Sequence, residues 1–294
     1  MTGHGAVVLT FHAEDLFGSD YSHNQSISEL RRWFFGRGGA MAVASGMGVR
    51  VSRERVTERA MVEPGQLVMP FYLVCDVSRS MVGDMQGLND NIRRLWLAVV
   101  SQPVVDDVTQ IGILTFSDSA KVVLPLGQMS LHDDVPALSA EGGTNYGAAF
   151  RLLAQTIVQD AASLRAQGYR VYRPCTFFLS DGEPSDSDWD MTFRATLTYD
   201  AATGRGLKAH PVLVTLGFRD ASEHVLRKLA YPLEKGRWYH SKRHDVQGAL
   251  RDLFDVVMHS VIGSGMSVSS GQSAHAQLAS TSASGVSSGY SEWI

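Results

Sequence analysis

Short apolar runs that stop abruptly at oxygen-bearing side chains recur along this chain, and the stretches between them repeat apolar residues at helical spacing. The first run is 67–76, LVMPFYLVCD, followed by Val77, Ser78, Arg79 and Ser80. A continuous apolar run bounded by polar turn residues predicts a strand buried on both faces. Residues 84–100 then place Leu88, Ile92, Leu95, Trp96 and Val99 on one helical face, with Trp96 filling core. Two strands at 111–116 and 121–126, joined through Ser117-Asp118-Ser119-Ala120, read as a hairpin whose second arm is an antiparallel edge strand.

The run EGGTNYG, 141–147, turns sharply into a helix marked by Phe150, Leu153, Ile157, Val158 and Leu164, with Thr144 placed to cap it. A third apolar run, 174–179, ends in SDGEPSDSDW, 180–189. A helix at 191–199, a strand at 210–216, a helix at 221–229, a short strand near Trp238 and Tyr239 and an amphipathic helix at 245–261 follow. Strands alternating with helices predict an α/β fold: a doubly wound, mostly parallel six-stranded sheet of Rossmann-like order 3-2-1-4-5-6, with one antiparallel edge strand and helices on both faces.

This organised region spans 67–262. Residues 1–60 show no clear period and read as a loosely ordered extension: an accessory element, a docking arm, or an upstream extension of the reading frame ahead of Met61. Residues 263–294 shift to Ser, Gly and Ala and read as a flexible tail, because such a composition buries too little apolar surface to offset ordering entropy.

Composition narrows the function classes. At 294 residues and 44% hydrophobic the chain can bury a substantial core. Its net charge of −4 and dispersed basic residues provide no footprint for nucleic acid. No apolar run reaches the roughly 18 residues of a membrane span, so a cytoplasmic protein is expected. Cys75 and Cys175 fall inside adjacent predicted strands but roughly 16 Å apart along them, and read as unbridged core thiols.

The chemistry lies at the strand ends. Asp76, Ser78 and Ser80 are hard oxygen donors within five residues, beyond the carboxyl end of a buried strand. With strands one and four adjacent at the switch point, Asp76 and Asp181 end neighbouring strands and the Thr144 loop opens the helix between them. Asp76, Ser78, Ser80, Thr144 and Asp181 can then surround one hard cation.

The set D-x-S-x-S, then G-G-T-N at a helix start, then S-D-G at a strand end resembles the metal-ion-dependent adhesion site of von Willebrand factor A domains, over about 67–262. Within that superfamily, DGEP followed by SDSDW is most similar to the intracellular bacterial TerY-like group associated with tellurium resistance. The resemblance implies direct ligation by Ser78 and Ser80, ligation by Thr144 directly or through water, and mainly water-mediated contacts from Asp76 and Asp181. One position is left for an acidic residue of a protein partner, possible partners including a kinase or phosphatase of a tellurite or stress-response system. Mg2+ fits such a set, with Mn2+ or Ca2+ as alternatives. Arg79 stands where family members often carry glycine, and is expected to weaken ion binding, orient an acidic partner, pair with Asp181 or Glu183, or stand solvated with no role.

The resulting expectation is a non-enzymatic, metal-dependent interaction module. The alternatives are a Mg2+-dependent phosphohydrolase with Asp76 as nucleophile, which lacks the second aspartate because position 78 is serine, and a metal-independent scaffold. A further reading has Glu292, the terminal carboxylate or a phosphorylated tail serine occupying the open metal position.

Overall fold

The computed structural model describes residues 65–271, 276–278 and 286–290; the expected amino-terminal extension, 1–60, lies outside the described residues. The strands are β1 (Leu67–Asp76), β2 (Thr109–Phe116), β3 (Ala120–Gly127), β4 (Arg170–Val171), β5 (Cys175–Ser180), β6 (Tyr199–Asp200), β7 (Arg205–Gly206), β8 (Val212–Gly217), β9 (Arg237–Ser241) and β10 (Val286–Tyr290). The helices are α1 (Met85–Val100), α2 (Pro103–Val108), α3 (Tyr146–Ala166), α4 (Trp189–Leu197), α5 (Glu223–Leu229) and α6 (Val246–Ser269).

The main sheet runs β10-β9-β8-β5-β1-β2-β3, with β4 added beside the start of β1. Strands β2, β1, β5, β8 and β9 are parallel, and β3 pairs antiparallel with β2, as the hairpin reading predicts. Strand β1 alternates strictly between two cores. Phe71, Leu73 and Cys75 pack with Leu88, Ile92, Leu250 and Phe254 of α1 and α6. Tyr72 and Val74 face Tyr146, Phe150 and Leu153 of α3 and Phe193 of α4. A strand with helices on both faces must be apolar at every position, which is why 67–76 shows no alternation in sequence.

The structure corrects the expected six strands and single antiparallel edge: among the described residues the sheet has eight strands, and β10 pairs antiparallel with β9 at the other edge. It also corrects the tail boundary, because α6 continues to Ser269. The small residues that suggested flexibility let α6 approach its neighbours closely. A Cβ on Gly265 would meet Cγ1 of Val105 at 2.8 Å. Ser264 is buried and its hydroxyl accepts the backbone N–H of Gln277 at 2.8 Å. In β10, Gly289 lies over Trp238, where a Cβ would come within 2.7 Å of Nε1, and the Arg237 guanidinium sits 4.3 Å from the Tyr290 ring centroid.

Cys75 and Cys175 are buried and unbridged. Cys175 pairs with Phe71, so Cys75 lies four residues further along, about 13 Å at strand rise. Among the described residues no helix is long and apolar enough to cross a membrane.

Candidate metal centre

Register brings the predicted loops together. Asp76 stands opposite Phe116, Cys75 opposite Leu179, and Ser180 opposite Gly217, so β1, β5 and β8 end at one level. The chain leaves β1 toward β2 on one side and β5 toward β8 on the other, and the crevice at this divergence holds the site.

Asp76 is fully buried at its floor. Its Oδ1 accepts the backbone N–H of Ser78 at 2.9 Å and its Oδ2 accepts the Ser180 hydroxyl at 2.7 Å. Burial pushes this carboxyl up to about 6, against the hydrogen bonds from Ser78 and Ser180 that favour its charged form. Above it, Ser78 Oγ and Ser80 Oγ share a hydrogen bond of 2.9 Å, and Ser80 Oγ donates to Asp181 Oδ1 at 2.9 Å. Ser80 is exposed while Ser78 and Asp181 are buried, so this line of oxygens reaches the surface at its middle member.

Thr144 arrives through backbone contacts. The N–H of Glu141 donates to Val77 O at 2.7 Å and that of Arg79 to Gly142 O at 3.1 Å, while Ser185 N donates to Thr144 O at 2.9 Å. Thr144 therefore lies between the loop after β1 and the loop after β5. Gly142 has φ +64°, and a Cβ there would stand 2.5 Å from Asp118 Oδ2, so this position requires glycine.

The expected capping role of Thr144 is corrected: the cap of α3 is Asn145, whose Oδ1 accepts Ala148 N at 2.8 Å. Asp186 reinforces that end, accepting the N–H groups of Tyr146 and Gly147 at 2.9 Å each. With capping assigned to these two side chains, the Thr144 hydroxyl has no hydrogen bond among the described residues.

Two contributors escaped the sequence reading. Ser180 belongs to the quoted S-D-G run, and a hydroxyl ending a buried strand beside Asp76 was the signal for its role. Arg219, just beyond β8, had no such signal. Its Nη1 donates to Ser80 O at 2.9 Å and lies 3.4 Å from Asp181 Oδ2, and its Nη2 donates to Asp84 Oδ1 at 2.9 Å. Asp84 is itself buried, and burial raises its carboxyl pKa against the pull of Arg219. The expected pairing of Arg79 is thereby corrected: Asp181 pairs with Arg219, and the exposed Arg79 side chain makes no ion pair among the described residues.

The donor set is hydroxyl and carboxylate oxygen throughout. No group of three or more His, Cys, Asp or Glu side chains able to hold a metal occurs among the described residues. As oxygen donors, the three hydroxyls and two carboxylates suit a hard cation in chemistry, with charge to spare for an anionic ligand.

No curated protein matches the chain significantly. Solved structures similar to it include a paralogue of ArnB from Sulfolobus acidocaldarius, at 18% identity over 66% of this chain and 46% of that one, with a TM-score of 0.42. Another is proximal thread matrix protein 1 from the mussel byssus, described with a zinc-occupied MIDAS motif, at 16% identity over 68% of this chain and 49% of that one, with a TM-score of 0.46. The pilus adhesin SpaC from Lactobacillus rhamnosus GG is similar at 12% identity over 68% of this chain and 30% of that one, with a TM-score of 0.47. The chain spans about half the length of the first two. The family model described as the von Willebrand factor type A domain matches residues 71–255. That match runs from within β1 through β9 into the first turns of α6 and includes all three loops of the site, and the chain belongs to the von Willebrand factor type A domain family.

Proposed function

We propose that this domain is a non-enzymatic adhesion module that uses a divalent cation to bind an acidic residue of a protein partner. The observation that carries the reading is the line Ser78 Oγ, Ser80 Oγ, Asp181 Oδ1, each step 2.9 Å, standing over buried Asp76. Ser78, Ser80 and Thr144 would hold the ion through hydroxyls, with Asp76 and Asp181 supplying the charge. Mg2+ suits such hard, largely neutral donors, with Mn2+ or Ca2+ as alternatives. The ion supplies an electrophilic coordination position that accepts a carboxylate oxygen.

Both Asp76 oxygens are engaged, by Ser78 N and Ser180 Oγ, and the residue is fully buried. This favours a structural and electrostatic role over attack on a phosphoryl group. The DGEP and SDSDW runs support a finer assignment to the tellurium-resistance-associated group, a cytoplasmic setting, and a kinase or phosphatase of such a system as partner.

Calorimetric titration of Mg2+, Mn2+ and Ca2+, with and without acetate as a surrogate carboxylate, tests the reading. Saturable binding that acetate strengthens and that Ser78→Ala/Ser80→Ala abolishes is expected. Absence of binding at millimolar metal would overturn it in favour of a metal-independent scaffold.

A further inference from the structure

Arg219 joins three loops that meet at the site. It reaches from the end of β8 to the carbonyl of Ser80 in the loop after β1, to Asp84 at the start of α1, and to Asp181 after β5. Its backbone has φ 53°, the left-handed region that a non-glycine residue adopts only where its surroundings impose it. Asp84 is buried with Arg219 as its ionic partner at 2.6 Å. The arginine side chain is itself 32% exposed, beside the exposed Ser80. One face of the guanidinium is thus fixed by buried acid and the rest is open at the rim of the site.

Two electrostatic consequences of opposite sign follow. A fixed positive charge 3.4 Å from Asp181 Oδ2 would repel a divalent ion held at the site, and by drawing on that oxygen it would reduce the negative charge available to the ion. The same charge, at the rim where a partner's carboxylate arrives, attracts that carboxylate. We infer that Arg219 is a specificity-determining residue that weakens the bare ion and strengthens acidic-ligand binding, so that the site favours the metal and a carboxylate together over the metal alone. The inference rests on the adhesion-module reading. It concerns a residue that the D-x-S-x-S, Thr144 and Asp181 pattern does not include.

The test uses the full chain and calorimetry at low salt, with Mg2+ alone and then sodium acetate added at saturating Mg2+. At a few ångströms in water-like surroundings, a unit charge against a divalent ion corresponds to about a tenfold change in affinity. Arg219→Gln is therefore expected to bind Mg2+ about tenfold more tightly and acetate severalfold more weakly. Arg219→Lys, which keeps the charge and loses the fork, should return Mg2+ affinity to within about threefold of wild type. Both differences should shrink toward zero near 1 M salt, where the screening length is about 3 Å.

A purely structural arginine predicts the contrary: loosened loops would weaken Mg2+ and acetate together, independently of salt, and that outcome overturns the inference while leaving the metal site standing. If the wild-type chain binds no metal, the adhesion-module reading falls and this inference with it. Should Arg219→Gln not fold, Arg219→Gln/Asp84→Asn removes the cation without stranding a buried carboxylate. That variant should keep Mg2+ affinity within about threefold and lose the acetate effect, and loss of Mg2+ binding in it would equally overturn the inference.

Discussion

The Ser180 hydroxyl donates a 2.7 Å hydrogen bond to Oδ2 of Asp76, across two neighbouring strands that end at the same level. It satisfies one oxygen of a carboxylate that has no access to water. Ser180→Ala leaves that oxygen buried and unpaired, which is expected to cost about 1–3 kcal/mol. Urea unfolding of the metal-free protein checks it; a change below about 0.5 kcal/mol would mean that water replaces the serine.

Asp76 also makes metal-free stability depend on pH. Its folded carboxyl titrates at about 6 against an ordinary 3.8, so the folded state holds its proton more tightly than the unfolded chain does. The stabilisation is complete below the unfolded value and is lost as pH rises through about 6, by about 3 kcal/mol in all. With chelator present, wild type should lose about 2 kcal/mol of this relative to Asp76→Asn between pH 4 and pH 7. Parallel stability profiles for the two proteins would refute the assignment.

Asp186 closes the amino end of α3 through two N–H groups. Asp186→Ala should destabilise the fold by about 1–2 kcal/mol, from lost capping and lost interaction with the helix dipole. Asp186→Asn should recover part of this. Thermal melts read both, and equal melting temperatures for all three proteins would show that Asn145 suffices alone.

Phe178 stacks on Phe116 with centroids 5.0 Å apart, meets Tyr146 edge-on at 4.9 Å and packs tilted against Phe150 at 5.5 Å. Phe178→Ala is expected to cost about 3–5 kcal/mol. Because this cluster lies beneath the start of α3, the variant should also weaken Mg2+ binding, and calorimetry on the folded fraction separates the two effects.

Much of the architecture could be read from the chain because it depends on local pattern. The uninterrupted apolar run at 67–76 identifies a strand covered on both faces, and the strand order follows from alternation with helices. Asp76, Ser78 and Ser80 are visible as a motif because one loop carries all three. Thr144 and Asp181 join them once the switch point is assumed, since the fold places their loops beside the first.

The small-residue stretch after Ile262 misled because composition alone does not distinguish a helix that packs closely from a chain that does not pack. Only contact with Val105 and with the backbone of Gln277 decides it. The edge strand β10 likewise depends on a partner more than forty residues away, where Val286 pairs with Ser241 and Tyr290 with Arg237. That direction carries β10 from the level of the site toward the amino-terminal end of β9.

Arg219 and Ser180 mark the same division. The identity of each strand-end aspartate is a local matter, legible where an apolar run stops. Which cation pairs with Asp181, and which hydroxyl satisfies Asp76, depends on side chains that are 38 and 104 positions distant and meet only when β1, β5 and β8 end together. Local periodicity determines elements and motifs because it acts within a few residues. Charge balance and hydrogen-bond completion at the site are decided by tertiary register, because burial forces each polar group to find a partner wherever the fold brings one.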